Sequence, residues 1–329
     1  MNCALSIDEV DGIILKELLQ NGRTSFRVIA ERANTSQDII RQHYKKMKKE
    51  GIIVGSAIQL DCSAMGFETV GRLHVSVLSD SQEYVAGIIG KINKVSSVSQ
   101  ENIEPKIRAV VILKNLRELE EITHTIKQIP CVLGVTTEIW IGIRNIVDNL
   151  SVLPSNTQNI DMNMHKINLK NQFENSKIKL DQMDKKIIDK LKGNGKVPFR
   201  KIAQELGAST DTISRRVKKL FENKIIKPVI QINPSKLGYA AKVHLNLAFA
   251  STEKLSTIID CLAQIPDITL IIETSGGYDL FVKAYIKNIE HLFSIQKEIK
   301  KILGISKIKI QIFEIDSKIP RNSEYISNF

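Results

Sequence analysis

The sequence predicts an α+β protein in which one plan occurs twice: three short helices and a strand, followed by a βαββαβ unit. Three observations support this. Residues 7–53 align with 180–226 without a gap at a shift of 173, and 17 of the 47 positions are identical. Within each of these segments the apolar residues recur at helical spacing. Beyond them, alternating apolar runs are broken by two longer amphipathic stretches in the order strand, helix, strand, strand, helix, strand.

In the first half, Asp8 is placed to cap a helix striped by Ile13, Ile14 and Leu18. Phe26, Ile29 and Ala30 mark a short second helix. Ser36 caps a third, striped by Ile40, Tyr44 and Met47 and ended by Gly51. The second half repeats this with Ile187 and Leu191, then Phe199, Ile202 and Ala203, then Ser209 ahead of Ile213, Val217 and Leu220. The strands GIIVGSAIQLD and KIIKPVIQIN lead away from these helices. Further on, Met65-Gly66-Phe67 matches Leu237-Gly238-Tyr239, and Lys114-Asn115-Leu116 matches Lys287-Asn288-Ile289, so the repeat extends through the strands. Each βαββαβ order implies a ferredoxin-like fold. The expected division is a winged helix-turn-helix at 1–61, a ferredoxin-like domain at 62–150, a linker at 151–178 with room for a short helix near its end, a second winged helix-turn-helix at 179–237 and a second ferredoxin-like domain at 238–329.

Composition narrows the function classes. Hydrophobic residues make up 43% and charged residues 25%, as in globular domains. No apolar run reaches the ~18 residues of a membrane span, and the N-terminus lacks the pattern of a secretory signal. The cysteines at 3, 62, 131 and 261 form no CxxC pair, which fits the cytoplasm and argues against a structural zinc site. The six histidines show no metal-ligand spacing, and no phosphate-binding or nucleophile motif occurs, so neither metal nor cofactor is expected. Trp140 lies in a strand, where packing is expected. The net charge of +11 is uneven: residues 1–150 balance at 18 basic and 18 acidic, whereas residues 179–329 hold 26 basic and 16 acidic. An excess confined to one half points to a polyanion.

The third helix of each three-helix unit is basic. With Ile213, Val217 and Leu220 turned inward, Thr212, Arg215, Lys218 and Lys219 face outward, Arg216 lies at the flank and Thr210 opens the helix. In the first half Gln42, Lys45, Lys46 and Lys49 face outward, with Arg41 and His43 at the edges. Such a face suits phosphates and base edges of double-stranded DNA.

These motifs together resemble the Lrp/AsnC, or feast/famine, family of transcription regulators. They are Asp181-x-x-Asp184-x-x-Ile187-Ile188-x-x-Leu191, Asn194-Gly195-Lys196, Phe199-Arg200-x-Ile202-Ala203 and the Ser209-capped helix carrying Arg215-Arg216-Val217-Lys218-Lys219-Leu220. The resemblance is close over 180–238 and good over 7–66. It implies a cytoplasmic DNA-binding regulator, assembly into homo-oligomers through the ferredoxin-like domains and response to an amino acid or related metabolite. Family members usually carry one such pair of domains, and this chain carries two. The resemblance further implies an effector site at a G-x-(Y/F)-D turn, matched by Gly276, Gly277, Tyr278 and Asp279; the counterpart Glu101–Lys106 has neither Gly nor Asp. Two other readings share the architecture: a regulator-like assembly protein without DNA specificity, and a fused enzyme resembling siroheme decarboxylases. The latter calls for His and Arg on the second and third strands of the ferredoxin-like units, where this sequence has no His and Arg108 alone. A non-enzyme is expected.

Overall fold

The computed structural model describes residues 7–61, 65–101, 104–154, 166–168, 180–251 and 255–315. Helices α1 (Glu9–Gln20), α2 (Phe26–Arg32) and α3 (Gln37–Lys49) lead into β1 (Ile53–Leu60). Then come β2 (Thr69–Val77), α4 (Gln82–Ile89), β3 (Val95–Gln100), β4 (Lys106–Leu113), α5 (Leu116–Lys127) and β5 (Val132–Asn145). A three-residue strand, β6 (Lys166–Asn168), pairs with β5 inside the segment expected to be a linker. The second half runs α6 (Gln182–Lys192), α7 (Phe199–Leu206), α8 (Thr210–Glu222), β7 (Ile226–Ile232), β8 (Ala241–Phe249), α9 (Leu255–Gln264), β9 (Ile268–Ser275), β10 (Leu280–Ile286), α10 (Ile289–Lys300) and β11 (Ile305–Glu314).

The expected caps form. Asp8 and Asp181 each accept from the backbone three residues on and complete a capping box with Asp11 and Asp184; Ser36 and Ser209 cap α3 and α8. The linker expectation needs correction at its start. Leu150 and Leu153 are buried beside Ile14 and Ile230, and Lys16 Nζ donates to the Pro154 carbonyl at 2.7 Å, so the chain is packed as far as 154. The helix expected near residue 178 lies outside the described residues.

The strands that leave the three-helix units keep only their first residues, Ile53 and Ile226, in the cores of their own helices. β1 and β7 pair with each other, antiparallel, from Ile53↔Ile232 to Leu60↔Ile226. Ile58 and Leu60 join the core of α6, α7 and α8, while Ile230 and Ile232 join the core of α1, α2 and α3. Segments 7–61 and 180–237 are therefore interlocked, each completing the other's apolar interior. The asparagine–glycine turns make the crossing possible. A Cβ at Gly22 would sit 2.9–3.0 Å from the backbone of Val229, and one at Gly195 would overlap the Ala57 carbonyl. Only glycine lets the backbone approach this closely.

The remaining strands form one sheet in the order β11-β8-β10-β9-β5-β2-β4-β3. β5 joins the halves: Val132–Ile139 pair with β2 and Ile139–Asn145 with β9. The sheet doubles over, since Arg108 on β4 meets His244 on β8 although four strands separate them in the order. Helices α4 and α5 cover the outer face of one half, and α9 and α10 that of the other. Between the halves lie Trp140, Ile143, Ile272 and Phe281, then a group of charged side chains.

Candidate nucleic-acid interface

Helix α3 is held by buried Ile40 and Met47, and α8 by buried Ile213, Val217 and Leu220. These anchors fix which side chains face water. Arg41, Gln42, Lys45, Lys46 and Lys49 are exposed on α3; Thr210, Arg215, Lys218 and Lys219 are exposed on α8. Arg41 pairs with Asp38 at 2.9 Å and Lys218 with Glu222 at 3.7 Å, both in exposed ion pairs. Such pairs are worth little and give way to a phosphate.

Three of the residues expected on the DNA face are engaged elsewhere. Thr212 is bound into the cap of α8, its backbone N–H donating to Ser209 Oγ at 3.1 Å and its hydroxyl accepting from the same group at 2.8 Å. Arg216 turns back onto the start of α6 and donates to Asp181 at 2.7 Å and Asp184 at 2.8 Å. Its guanidinium is held above its ordinary range, chiefly by the hydrogen bond to Asp184 and then by that to Asp181. His43 occupies the equivalent place in the first unit, with Nδ1 2.9 Å from Asp11 and 3.7 Å from Asp8. A helical wheel put both at the flank but could not show that the carboxylates of the preceding capping box stand opposite.

The two units meet at a seam. Arg23 lies 4.4 Å from the centre of the Phe199 ring and donates to the Val197 carbonyl; Lys196 lies 4.8 Å from the Tyr44 ring centre. Burial, with Lys48 and Arg23 nearby, pushes Lys196 down to about 8. With the β1–β7 ladder, this seam sets α3 and α8 at one fixed relation.

The Gly276–Asp279 turn is exposed at its glycines and runs beside β5, where Ser275 pairs with Ile139. The Asp279 carboxylate accepts from the Phe249 backbone at 2.8 Å and so holds the end of β8. At the counterpart, Glu101 is buried and accepts from Gln311 at 2.8 Å; Asn102 and Ile103 lie outside the described residues.

Side chains from the first strands of the two ferredoxin-like units, which the sequence expectation did not consider, join Arg108. Arg72 stacks 4.0 Å from the Phe281 ring centre, Arg108 stacks 4.4 Å from that of Phe313, and Arg108 Nη1 lies 2.9 Å from Nδ1 of His244. Arginine has no acceptor, so the His244 nitrogen accepts and the ring is neutral. Burial, then the charges of Arg108, Lys242 and Arg72, hold His244 well below its ordinary range. Burial pushes Glu138 up, but His74, Arg72 and Trp140 outweigh it and keep it low. The sequence hid this group because Arg72, His74 and His244 sit on strand faces that, in a single sheet, would meet water.

Residues 7–54 match the winged helix-turn-helix DNA-binding family, residues 180–220 the AsnC-type helix-turn-helix domain and residues 240–313 the Lrp/AsnC ligand binding domain. The chain is 37% identical over 130 residues to the HTH-type transcriptional regulator FL11 of Pyrococcus horikoshii, covering 39% of this chain and 85% of that one. The chain belongs to the Lrp/AsnC family. It is 33% identical over 147 residues to the regulator Ptr1 of Methanocaldococcus jannaschii, covering 43% of this chain and 99% of that relative. As an Lrp/AsnC protein it is a DNA-binding transcription regulator. Its whole fold is also similar to that of the siroheme decarboxylase NirDL, with a TM-score of 0.62 over 94% of this chain and 91% of that one. Identity there is 15%, so that likeness is one of fold. Among the described residues no helix is long and apolar enough to cross a membrane.

Proposed function

We propose that this single chain, a tandem duplication of the family unit, does the work of a family dimer and reads two unequal DNA half-sites. The domain limits of the sequence analysis mark its four parts, with the two helix-turn-helix parts interlocked. The observation that carries this is the exchange of β1 and β7, which ties α3 and α8 into one body. The reading helices differ where it matters: Gln42 stands where α8 has Arg215. Residues 179–237 hold 15 basic and 6 acidic residues and residues 1–61 hold 9 and 8, so the second unit supplies most of the affinity. Arg215, Lys218, Lys219 and Thr210 are its contacts; Arg41, Gln42, Lys45, Lys46 and Lys49 are the weaker set. Chains associate further through their ferredoxin-like domains, and the protein acts in the cytoplasm without enzymatic activity. An amino-acid effector uses the amides of Gly276 and Gly277 beside Tyr278, while Asp279 frames the turn. The test is a genome-wide map of bound DNA followed by shift assays at two salt concentrations. Protection of two abutting half-sites by one chain supports the reading; protection of one half-site only, or none, rejects it.

One observation favours a second reading. The Arg72–Arg108–His244 group lies inside a fold shared with NirDL, which has been crystallised with an iron-uroporphyrin III analogue. Optical titration with that compound separates the two: tight uptake that is lost in His244→Ala favours an enzyme.

A further inference from the structure

The geometry points to a divalent metal site of the zinc class in the first helix-turn-helix unit, formed by Asp8, Asp11 and His43. Among the described residues these three bring ligand atoms within 4.8 Å of one another. The sequence did not disclose the group because His43 lies 32 positions from Asp11.

In each unit the capping box consumes one oxygen of each aspartate. Asp11 N donates to Asp8 Oδ1 at 2.8 Å and Asp8 N to Asp11 Oδ2 at 3.3 Å; Asp184 N and Asp181 N do the same at 2.8 and 3.3 Å. Two oxygens per unit remain, and both face the third helix. In the second unit the spare oxygens of Asp181 and Asp184 hold one guanidinium nitrogen of Arg216 at 2.7 and 2.8 Å. That pair accepts a cation, a permanent charge from the chain itself.

The first unit has the same pair and no such charge. Its third helix offers an imidazole nitrogen 2.9 Å from Asp11 Oδ1 and 3.7 Å from Asp8 Oδ2. An imidazole brings no permanent charge to these two carboxylates, one of them on Asp11, whose side chain is 2% exposed. Zinc binds such oxygens and nitrogens at about 2.0–2.2 Å, which sets tetrahedral ligands roughly 3.3 Å apart. The two separations, 2.9 and 3.7 Å, bracket that spacing. Lys46 approaches only the other Asp11 oxygen, at 3.9 Å, and its half-exposed side chain is free to swing out. Water completes the coordination sphere. Where Arg216 locks α8 to α6 permanently, the ion would lock α3 to α1 only when bound, so metal would govern the weaker reading helix.

The experiment uses the full chain, stripped with chelator and titrated with cobalt(II) and zinc(II). Visible absorption of tetrahedral cobalt and calorimetry with zinc are expected to report one site that His43→Arg and Asp8→Asn each weaken at least tenfold. His43→Arg copies the arrangement around Arg216 and should fold, with an unfolding temperature in chelator equal to that of the wild type in zinc. Equal binding by the wild type and both variants overturns the site. So does absence of binding, including the case in which acidification alone stabilises the wild type, since a proton then supplies the cation.

Discussion

Nη1 of Arg108 on β4 donates to Nδ1 of His244 on β8, joining residues 136 positions apart at the centre of the molecule. The two faces around this bond are unlike. The first half contributes Arg72, Arg108, Glu101 and Glu138; the second contributes His244, Phe281, Gln311 and Phe313. Each arginine meets an aromatic ring across the gap, a contact worth about 2 kcal/mol when desolvated. Two first halves facing each other would instead bury arginine against arginine, so the pairing of first with second is specified by chemistry as well as by connectivity.

His244 is neutral in the folded protein because burial and neighbouring cations hold it well below 6.5. The unfolded chain therefore takes up the proton that the folded chain refuses, and stability falls as pH drops below about 6.5, by up to ~1.4 kcal/mol per pH unit. His244→Gln, which still accepts from Arg108, should flatten the change in urea midpoint between pH 6.5 and 5. Imidazole nitrogen shifts should show the wild-type ring neutral at pH 5.5, protonated on Nε2.

The crossing of β1 over the second unit makes Gly195 sensitive to a single methyl. Gly195→Ala should cost about 1–3 kcal/mol by overpacking against Ala57. Gly193→Ala, which meets no atom within 4 Å, should stay within about 0.5 kcal/mol. Denaturant unfolding of both variants decides the matter.

Arginines 215 and 216 should separate in assays although they are neighbours. Arg215→Ala should lower the slope of log affinity against log salt by roughly 0.9, as expected for one lost phosphate contact. Arg216→Ala should leave that slope nearly unchanged and lower the unfolding temperature, because its partners are Asp181 and Asp184. Equal salt slopes in both variants would contradict the placement of Arg215 on the DNA face.

Lys196 at the seam carries a folded value of about 8 against an ordinary 10.5. Between these values the unfolded chain binds more protons, so stability rises with pH across that window and the seam is penalised below it. Lys196→Met should remove much of this rise and stabilise the protein at pH 7. Thermal unfolding of the two proteins at pH 7, 8.5 and 10 provides the comparison.

An effector bound at the second-half turn should be lost in Gly276→Val. It should persist, at reduced affinity, in Asp279→Asn, since that carboxylate accepts from Phe249 and supports the turn. Calorimetric titration with a panel of amino acids tests both.

The helices, their caps and the order of strands were legible because each is written locally: Asp8, Ser36 and Ser209 precede apolar stripes of helical period, and the strands alternate. What was not legible is what depends on a partner. Ile58 and Ile230 lie in the expected strands, but nothing in a strand pattern names the helices they bury against. The faces of β2, β4 and β8 that carry Arg72, Arg108 and His244 read as polar and wet, and they are enclosed only because the sheet folds over. The repeat keeps the two aspartates of the capping box in both halves and sets His43 and Arg216 at equivalent positions, but only the fold brings these third-helix residues onto the aspartates.

The exchange of β1 and β7 also sets a timetable for synthesis. The apolar interior of α1–α3 lacks Ile230 and Ile232 until nearly 180 residues after β1 begins. At ~5–20 residues per second the ribosome needs roughly 10–35 s to supply them. Throughout that interval Ile14, Leu18 and Ile40 lack part of their cover, which Leu150 and Leu153 supply only in part, and the nascent chain offers a greasy surface to chaperones. A chain stopped at residue 178 should be cut rapidly by protease within 7–60, where the finished protein resists.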